Sequence, residues 1–349
     1  MAPRRPPGCR WFINPLDIWV STTGSNTAAG TQAAPVATIT RASELVQPGG
    51  SVRVLPGTYN GTISTSKSGT AAARIKFVSD TPYAALLRFN AQNAYCWENS
   101  GSYVDVQWFD IAGTGSGGFF NWGSHFTITD NIIHDIGQPT YTSDGGGAIV
   151  LHEFNNPVNT VAARNLIYNI ANSGGTTSRQ YYQGIYAQHD TSEIVNNVVY
   201  ACGGGGIHLW HKPVRVLIAH NIVAGCGDGI VVGAGDSTPA TPADFISVLN
   251  NIAVGNTGIG IDSEGLLGEN NIYAYNHSSG NGTDWRLSGG ETHTDDIVAV
   301  PTFVNAAARD YRPAPGSSAI GSALPGIVWD THDRYARVGW DIGPYRYEE

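Results

Sequence analysis

The 349-residue chain carries 44 glycines, 18 prolines, 41% hydrophobic and 13% charged residues, with 28 acidic against 19 basic side chains and a formal net charge of −9. So much apolar surface and so little charge exclude a disordered chain, and no run approaches the ~18 apolar residues of a membrane-spanning helix. The acidic balance argues against a nucleic-acid binder, which needs a basic face, but leaves an anionic sugar polymer open, because the field at a cleft outweighs the sum of charges.

Residues 1–18 read as an N-terminal extension. Arg4, Arg5 and Arg10 are there, but no apolar stretch of signal-peptide length is visible. Over 38–47, Ile39, Ala42, Leu45 and Val46 fall at helical spacing before Pro48-Gly49-Gly50. That pattern predicts an amphipathic helix covering the open edge of a first coil. Segments 51–55, 74–78, 86–89 and 103–109 read as short strands of less regular coils.

From 126 onward one phrase recurs, an Asn followed by two apolar residues: Asn131-Ile132-Ile133, Asn165-Leu166-Ile167, Asn197-Val198-Val199, Asn221-Ile222-Val223, Asn251-Ile252-Ala253 and Asn271-Ile272-Tyr273. A second phrase, Gly and a short apolar strand, alternates with it at Gly147, Gly184, Gly206, Gly229 and Gly258. A fixed phrase at a variable period means a coil with loops of variable length. Short strands with Asn at a fixed turn describe an all-β fold, a single right-handed parallel β-helix, in which stacked amides about 4.8 Å apart bond along the axis. The β-helix is expected over 19–300, helix included, with 301–349 a loop-rich tail that wraps the far end. Four cysteines are too few for a disulfide scaffold. Cys202 and Cys226, each five residues after its ladder Asn, are expected to stack as buried thiols, while Cys9 and Cys96 have no assignment.

The opening Val20-Ser21-Thr22-Thr23-Gly24-Ser25, the helix, and Gly49-Gly50-Ser51-Val52-Arg53-Val54-Leu55-Pro56-Gly57-Thr58-Tyr59 resemble the start of the pectate-lyase-like superfamily, nearest its chondroitinase-B and alginate-lyase-like branch. Asp310-Tyr311-Arg312-Pro313 and Trp340-Asp341-Ile342-Gly343-Pro344-Tyr345 are similar to the closing segment of secreted bacterial β-helix proteins. The resemblance implies the β-helix, an extracellular carbohydrate-active enzyme, and a cleft along the sheet that carries the glycine phrase. It does not choose the activity, since one fold hosts many. Neither the calcium-binding carboxylates and Lys/Arg pair of the chondroitinase-B-like enzymes nor the Asp pair and Gly-His-Gly of polygalacturonases is matched here.

Counting five residues from the phrase glycine gives His152, His189 and His211, followed by Glu153, Asp190 and Lys212. The spacing predicts three imidazoles stacked on neighbouring coils. The expected outward pairs are Ile149/Leu151, Tyr186/Gln188, His208/Trp210, Val231/Gly233 and Gly260/Asp262. Uronate β-elimination needs a base, an acid and a group that neutralises the carboxylate. His208, His211, His189, Tyr186 and Lys212 supply the catalytic types, with Asp190, Glu153 and His152 as supporting or alternative acids and bases. Trp210, Gln188, Arg215 and Asp262 are expected to bind substrate. No cofactor is required on this reading. A divalent metal, if used, would sit on His152, His189 and His211, although parallel stacking aims the rings alike and favours proton transfer. The expected partner of a monomeric protein is an anionic polysaccharide, with no nucleic acid and no membrane. A glycoside hydrolase using two carboxylates among Glu153, Asp190, Asp228, Asp262 and Glu264 is the alternative, and a non-catalytic glycan-binding module is a third class.

Overall fold

A computed structural model describes residues 14–138, 145–171, 179–324 and 341–344. The chain winds through three parallel sheets. Sheet I has eleven strands, from Ile18–Val20 to His293–Thr294. Sheet II runs over nine, from Gly57–Asn60 to His277–Ser279, and sheet III over nine, from Ile63–Thr65 to Thr283–Arg286. Each coil visits I, II and III in turn, the topology of a parallel β-helix.

Strict register stacks like on like in the interior. Sheet III stacks Trp97, Phe119, Ile149, Ile185, Ile207, Ile230, Ile261 and Trp285 inward. Sheet II stacks Leu87, Ile111, Ile133, Ile167, Val199, Val223 and Ala253. Because side chains alternate across a strand, each inward column fixes an outward one beside it, which is how the core registers the surface.

The asparagines occupy the turn from sheet I to sheet II. Each Nδ2 donates to the Oδ1 of the next coil: Asn131 to Asn165 (3.2 Å), Asn165 to Asn197 (3.1 Å), Asn197 to Asn221 (3.0 Å), Asn221 to Asn251 (2.9 Å). The residue before each of these, Asp130, Arg164, Asn196, His220 and Asn250, is left-handed, with φ between 55° and 59°. The next rung is Asn276 (3.0 Å), not the expected Asn271. Asn271 lies in the turn that enters sheet I, where it accepts from Ile246 N and donates to Glu291. An Asn before an apolar strand suits either turn, so the local phrase did not separate them. A second ladder follows sheet II: Cys202 N donates to Cys226 Sγ (3.4 Å), Cys226 N to Asn256 Oδ1 and Asn256 N to Asn281 Oδ1. Cys202 and Cys226 are free, buried thiols standing where the last coils use Asn, and Cys96 is likewise free and buried. Cys9 lies outside the described residues.

The helix is Ile39–Leu45, begun by Thr38, whose hydroxyl accepts from Arg41 N (3.1 Å). It buries Ile39 and Ala42 against the first strands, Ile18–Val20 and Ser51–Val54, and against Ile63–Thr65. The described part of the tail lies along the side of the coil: Tyr311, Ala319, Ala323 and Ile342 pack on Val198, Ile222, Ala224 and Ile252, the outer face of sheet II. Those sheet positions are apolar on both faces and need a cover. No helix among the described residues is long and apolar enough to cross a membrane.

Candidate functional site on the outer face of sheet III

Tyr186 pairs with His208, and His208 with Val231. In the other direction Tyr186 pairs with Val150, and Val150 with Phe120. The outward column is therefore Phe120, Val150, Tyr186, His208, Val231 and Asp262. The expected Ile149/Leu151 pair is corrected: both point into the core. Gly147 pairs with Gln183 rather than Gly184, so counting from the glycine slips that coil by one residue and reverses its faces.

The same slip dissolves the three-histidine column. Leu151 pairs with Ala187, which sets His152 across from Gln188 and not from His189. His189 is 1% exposed and turned into the coil: its Nδ1–H donates to Asp190 O (2.9 Å), and its Nε2 lies 3.3 Å from Thr160 Oγ1. Burial above all lowers its pKa to about 4. It does not reach the outer face and is a neutral structural histidine.

The groups that do meet are Tyr186, His208 and His211, with Lys212 and Glu153 beside them. The Tyr186 ring is 5.3 Å from His208 and 6.1 Å from His211, centroid to centroid. His211 sits just past its strand in left-handed conformation (φ 68°), and that turn swings the ring back over Tyr186. Glu153 closes the group, 3.3 Å from Lys212 Nζ and 3.7 Å from His211 Nδ1. The second distance is too long for a hydrogen bond. His208 Nε2 and His211 Nδ1 are thus buried polar atoms with no hydrogen-bond partner among the described residues. Burial, and then the neighbouring His211, hold His208 down at about 4, so it is neutral at pH 7. Burial raises Tyr186 well above the usual phenol, and its proton stays on. Gln188 is buried and bonds the Tyr186 side chain, with its Oε1 accepting from Glu153 N (3.4 Å). It positions rather than faces outward. His152 accepts from Phe154 N at Nδ1 (3.0 Å), which leaves its proton on Nε2, and burial lowers its pKa.

Trp210 flanks His208 at 5.9 Å and is anchored by its Nε1–H to Asp236 (3.0 Å). The other expected residues are elsewhere. Arg215 is paired with Asp190 and lines a cavity of about 470 Å³ on the outer face of sheet I, with Arg74, Glu193 and Phe245. That cavity is lined by none of the Tyr186 group. Asp262 continues the outward column but is 2% exposed and held by Arg286 (Nε 2.8 Å, Nη2 2.5 Å), which also bonds Glu264 (2.9 Å). Asp228 accepts from Ile259 N (2.7 Å). Carboxylates expected to be available are therefore engaged: Glu153 by Lys212, Asp190 by Arg215, Asp262 and Glu264 by Arg286.

Among the described residues no three His, Cys, Asp or Glu side chains are placed to hold one ion, and His152, His189 and His211, the set expected for a metal, do not converge. Sequence reasoning missed Phe120, Trp122, Phe154 and Asn156. Gly117-Gly118-Phe119-Phe120 was an available signal, an earlier copy of the glycine phrase.

No curated protein sequence matches the chain. Among solved structures, pectate lyase Pel9A is 16% identical, covering 95% of this chain and 96% of its own, with a TM-score of 0.66. The alginate lyase from Paenibacillus sp. str. FPU-7 is 14% identical over 73% of this chain and 94% of its own, with a TM-score of 0.51. XylC in complex with xylose is 13% identical over 82% and 68%, with a TM-score of 0.57. At these identities the likeness is one of fold. A family model described as "Pel9A-like, right handed beta helix region" matches residues 18–295. The coil the three sheets build over that span is thus right-handed, and the chain belongs to the Pel9A-like right-handed β-helix family.

Proposed function

We propose that the protein is a polysaccharide lyase that cleaves a uronate-containing polymer by β-elimination on the outer face of sheet III. The observation that carries this reading is a protonated phenol, Tyr186, set between two imidazoles, with His208 Nε2 and His211 Nδ1 left without a hydrogen-bond partner among the described residues. Two of the similar structures are named as lyases, of pectate and alginate.

In this reading His211 takes the proton from C5 of the uronate. The electrons left behind form the C4–C5 double bond as the C4–oxygen bond breaks, and Tyr186 gives its proton to the departing oxygen. Lys212 faces the carboxylate, whose negative charge grows as C5 loses its proton. Its ammonium has three donors, and Glu153 and Asn156 use two. The hydrolase reading is weaker, because it needs two available carboxylates, and Glu153, Asp190, Asp262 and Glu264 are each tied to a Lys or Arg.

Screening pectate, alginate, glucuronan and glycosaminoglycans for ultraviolet-absorbing unsaturated ends tests the proposal. Unsaturated product from one of them is the expected result. New reducing ends without unsaturation would make the protein a hydrolase, and turnover lost to a chelator would transfer the neutralising role from Lys212 to a cation.

A further inference from the structure

On the same face as the Tyr186 group, two coils toward the N-terminus, lies a cluster of rings that proton transfer does not use. Phe120 is 4.7 Å from Tyr95, 5.3 Å from Trp122 and 4.8 Å from His152, and Trp122 meets Phe154 edge-on at 6.4 Å and 85°. Phe154 is 60% exposed. Register ties these rings to the site, since Phe120 stands in the column of Tyr186 with Val150 between them. The two are separated by two coils, about 9–10 Å.

We infer that Phe120, Trp122 and Phe154 form a further saccharide subsite that stacks the apolar face of a sugar ring two coils from the site of cleavage. The inference rests on the reading of sheet III as the polysaccharide face. An exposed phenylalanine next to a half-buried tryptophan is an apolar patch of the kind that marks a ligand groove. Ring C–H bonds of a pyranose give it an apolar face that packs on such rings. The patch is also fixed in place. Phe154 sits between Glu153 and Asn156, and Lys212 holds both, at 3.3 Å and 2.5 Å, while Phe154 N bonds His152 (3.0 Å). The residue that faces the uronate in the proposed reaction therefore also pins the loop that presents Phe154. Three differences along the stripe set the occupant: rings at the N-terminal end, proton-transfer groups in the middle, and Asp262, Glu264 and Arg286 at the other end. A polymer lying along the axis meets all three. The shelf meets the sugar through its rings, so it reads the ring face and not the charge.

The test measures binding of pectate, alginate, glucuronan and glycosaminoglycans, each as dimer, tetramer and polymer, at low and high salt, to the full chain and to Phe154→Ala and Trp122→Ala. Both substitutions should weaken polymer binding roughly three- to tenfold, should matter least for the dimer, and should do so equally at both salt concentrations, since stacking is not screened. Phe154→Ala touches an exposed side chain and keeps the test clear of misfolding. Unchanged polymer affinity in both variants overturns the subsite. A chain that binds these polymers through the rings but forms no unsaturated product would keep the subsite and sink the lyase reading. A wild-type chain that binds none of them would sink both.

Discussion

Glu153 and Lys212 meet at 3.3 Å although 59 positions separate them in number, because each lies just beyond a sheet III strand and Gln188 of the coil between them accepts from both backbones, from Glu153 N at its Oε1 and from Lys212 N at its carbonyl. Asn156 joins the pair through Lys212 Nζ at 2.5 Å. One cation thus fixes a loop and faces the proposed carboxylate. Lys212→Met should lower kcat at least ~10²-fold by removing charge stabilisation. Asn156→Ala breaks only the loop contact and should act mainly on KM. Equal effects of the two on kcat would mean that Lys212 serves the loop alone.

Tyr186 and His211 divide the proton transfers in the proposed reaction. Tyr186→Phe keeps the ring and its stack on His208, and should cost ~10²–10⁴ in kcat with little change in thermal midpoint. His211→Ala should abolish turnover with the same β-sheet circular dichroism. A Tyr186→Phe enzyme as fast as wild type would remove the phenol as the acid.

Two histidines report on pH without taking part in the same way. His189 and His208 are held at about 4, against an ordinary value of 6.5, chiefly by burial. Between these values the unfolded chain binds protons that the native chain does not. Their contribution is therefore fully present above about pH 6.5 and lost as pH falls toward 4. His189, at 1% exposure, should account for on the order of 2–3 kcal/mol of that loss. Urea midpoints across this range should fall steeply for wild type and less for His189→Gln, which has no proton to gain. Parallel curves for the two would show that His189 does not titrate this way.

Much of the coil was legible because it is written in strictly local chemistry. Asn131, Asn165, Asn197, Asn221 and Asn251 each answer the same backbone geometry, a left-handed residue followed by a buried amide rung, so sequence repetition tracks structural repetition. The phrase failed at Asn271, where a different turn has the same local needs. The site was legible in part for the same reason. Tyr186 and His208 follow glycines that truly align, and they meet. His152 follows Gly147, which aligns with Gln183, and a one-residue slip moved His152 out of the column. Nothing local to His189 marks it as inward, since its burial depends on Thr160, one coil away. Arg215 failed likewise, its direction being set by Asp190 one coil away.

An interior rung of the ladder should be worth more than one hydrogen bond. Asn221 Nδ2 donates to Asn251, Ile194 O and Ala219 O, and its Oδ1 accepts from both nitrogens of Asn197. Asn221→Ala leaves these buried partners unsatisfied and should cost about 2–4 kcal/mol. A chemical denaturation curve with an unchanged slope and a lower midpoint is the expected signature. A loss below about 0.5 kcal/mol, the range of ordinary surface changes, would mean that the rungs do not carry the turn.

Trp210 offers a test of the stripe on the other side of His208, and the glycines beneath it make the test clean. A Cβ built on Gly235 would lie 2.6 Å from Trp210 Cζ2 and 3.0 Å from Cε2, and its three nearest neighbours are all indole atoms. Gly233 would be a poorer choice, since its Cβ would also strike the Glu264 carbonyl at 2.7 Å. Gly235→Ala should therefore tilt the indole off its seat, weaken the Nε1–Asp236 bond and leave the coil intact. If Trp210 stacks a sugar ring as a rigid platform, KM should rise about as much as in Trp210→Ala, while kcat changes less. Trp210→Phe, a smaller ring with no N–H, should tolerate the added methyl group better, so the two substitutions together should be less than additive. Additive effects, or a KM untouched by either, would make Trp210 only a cover for the glycine-lined backbone.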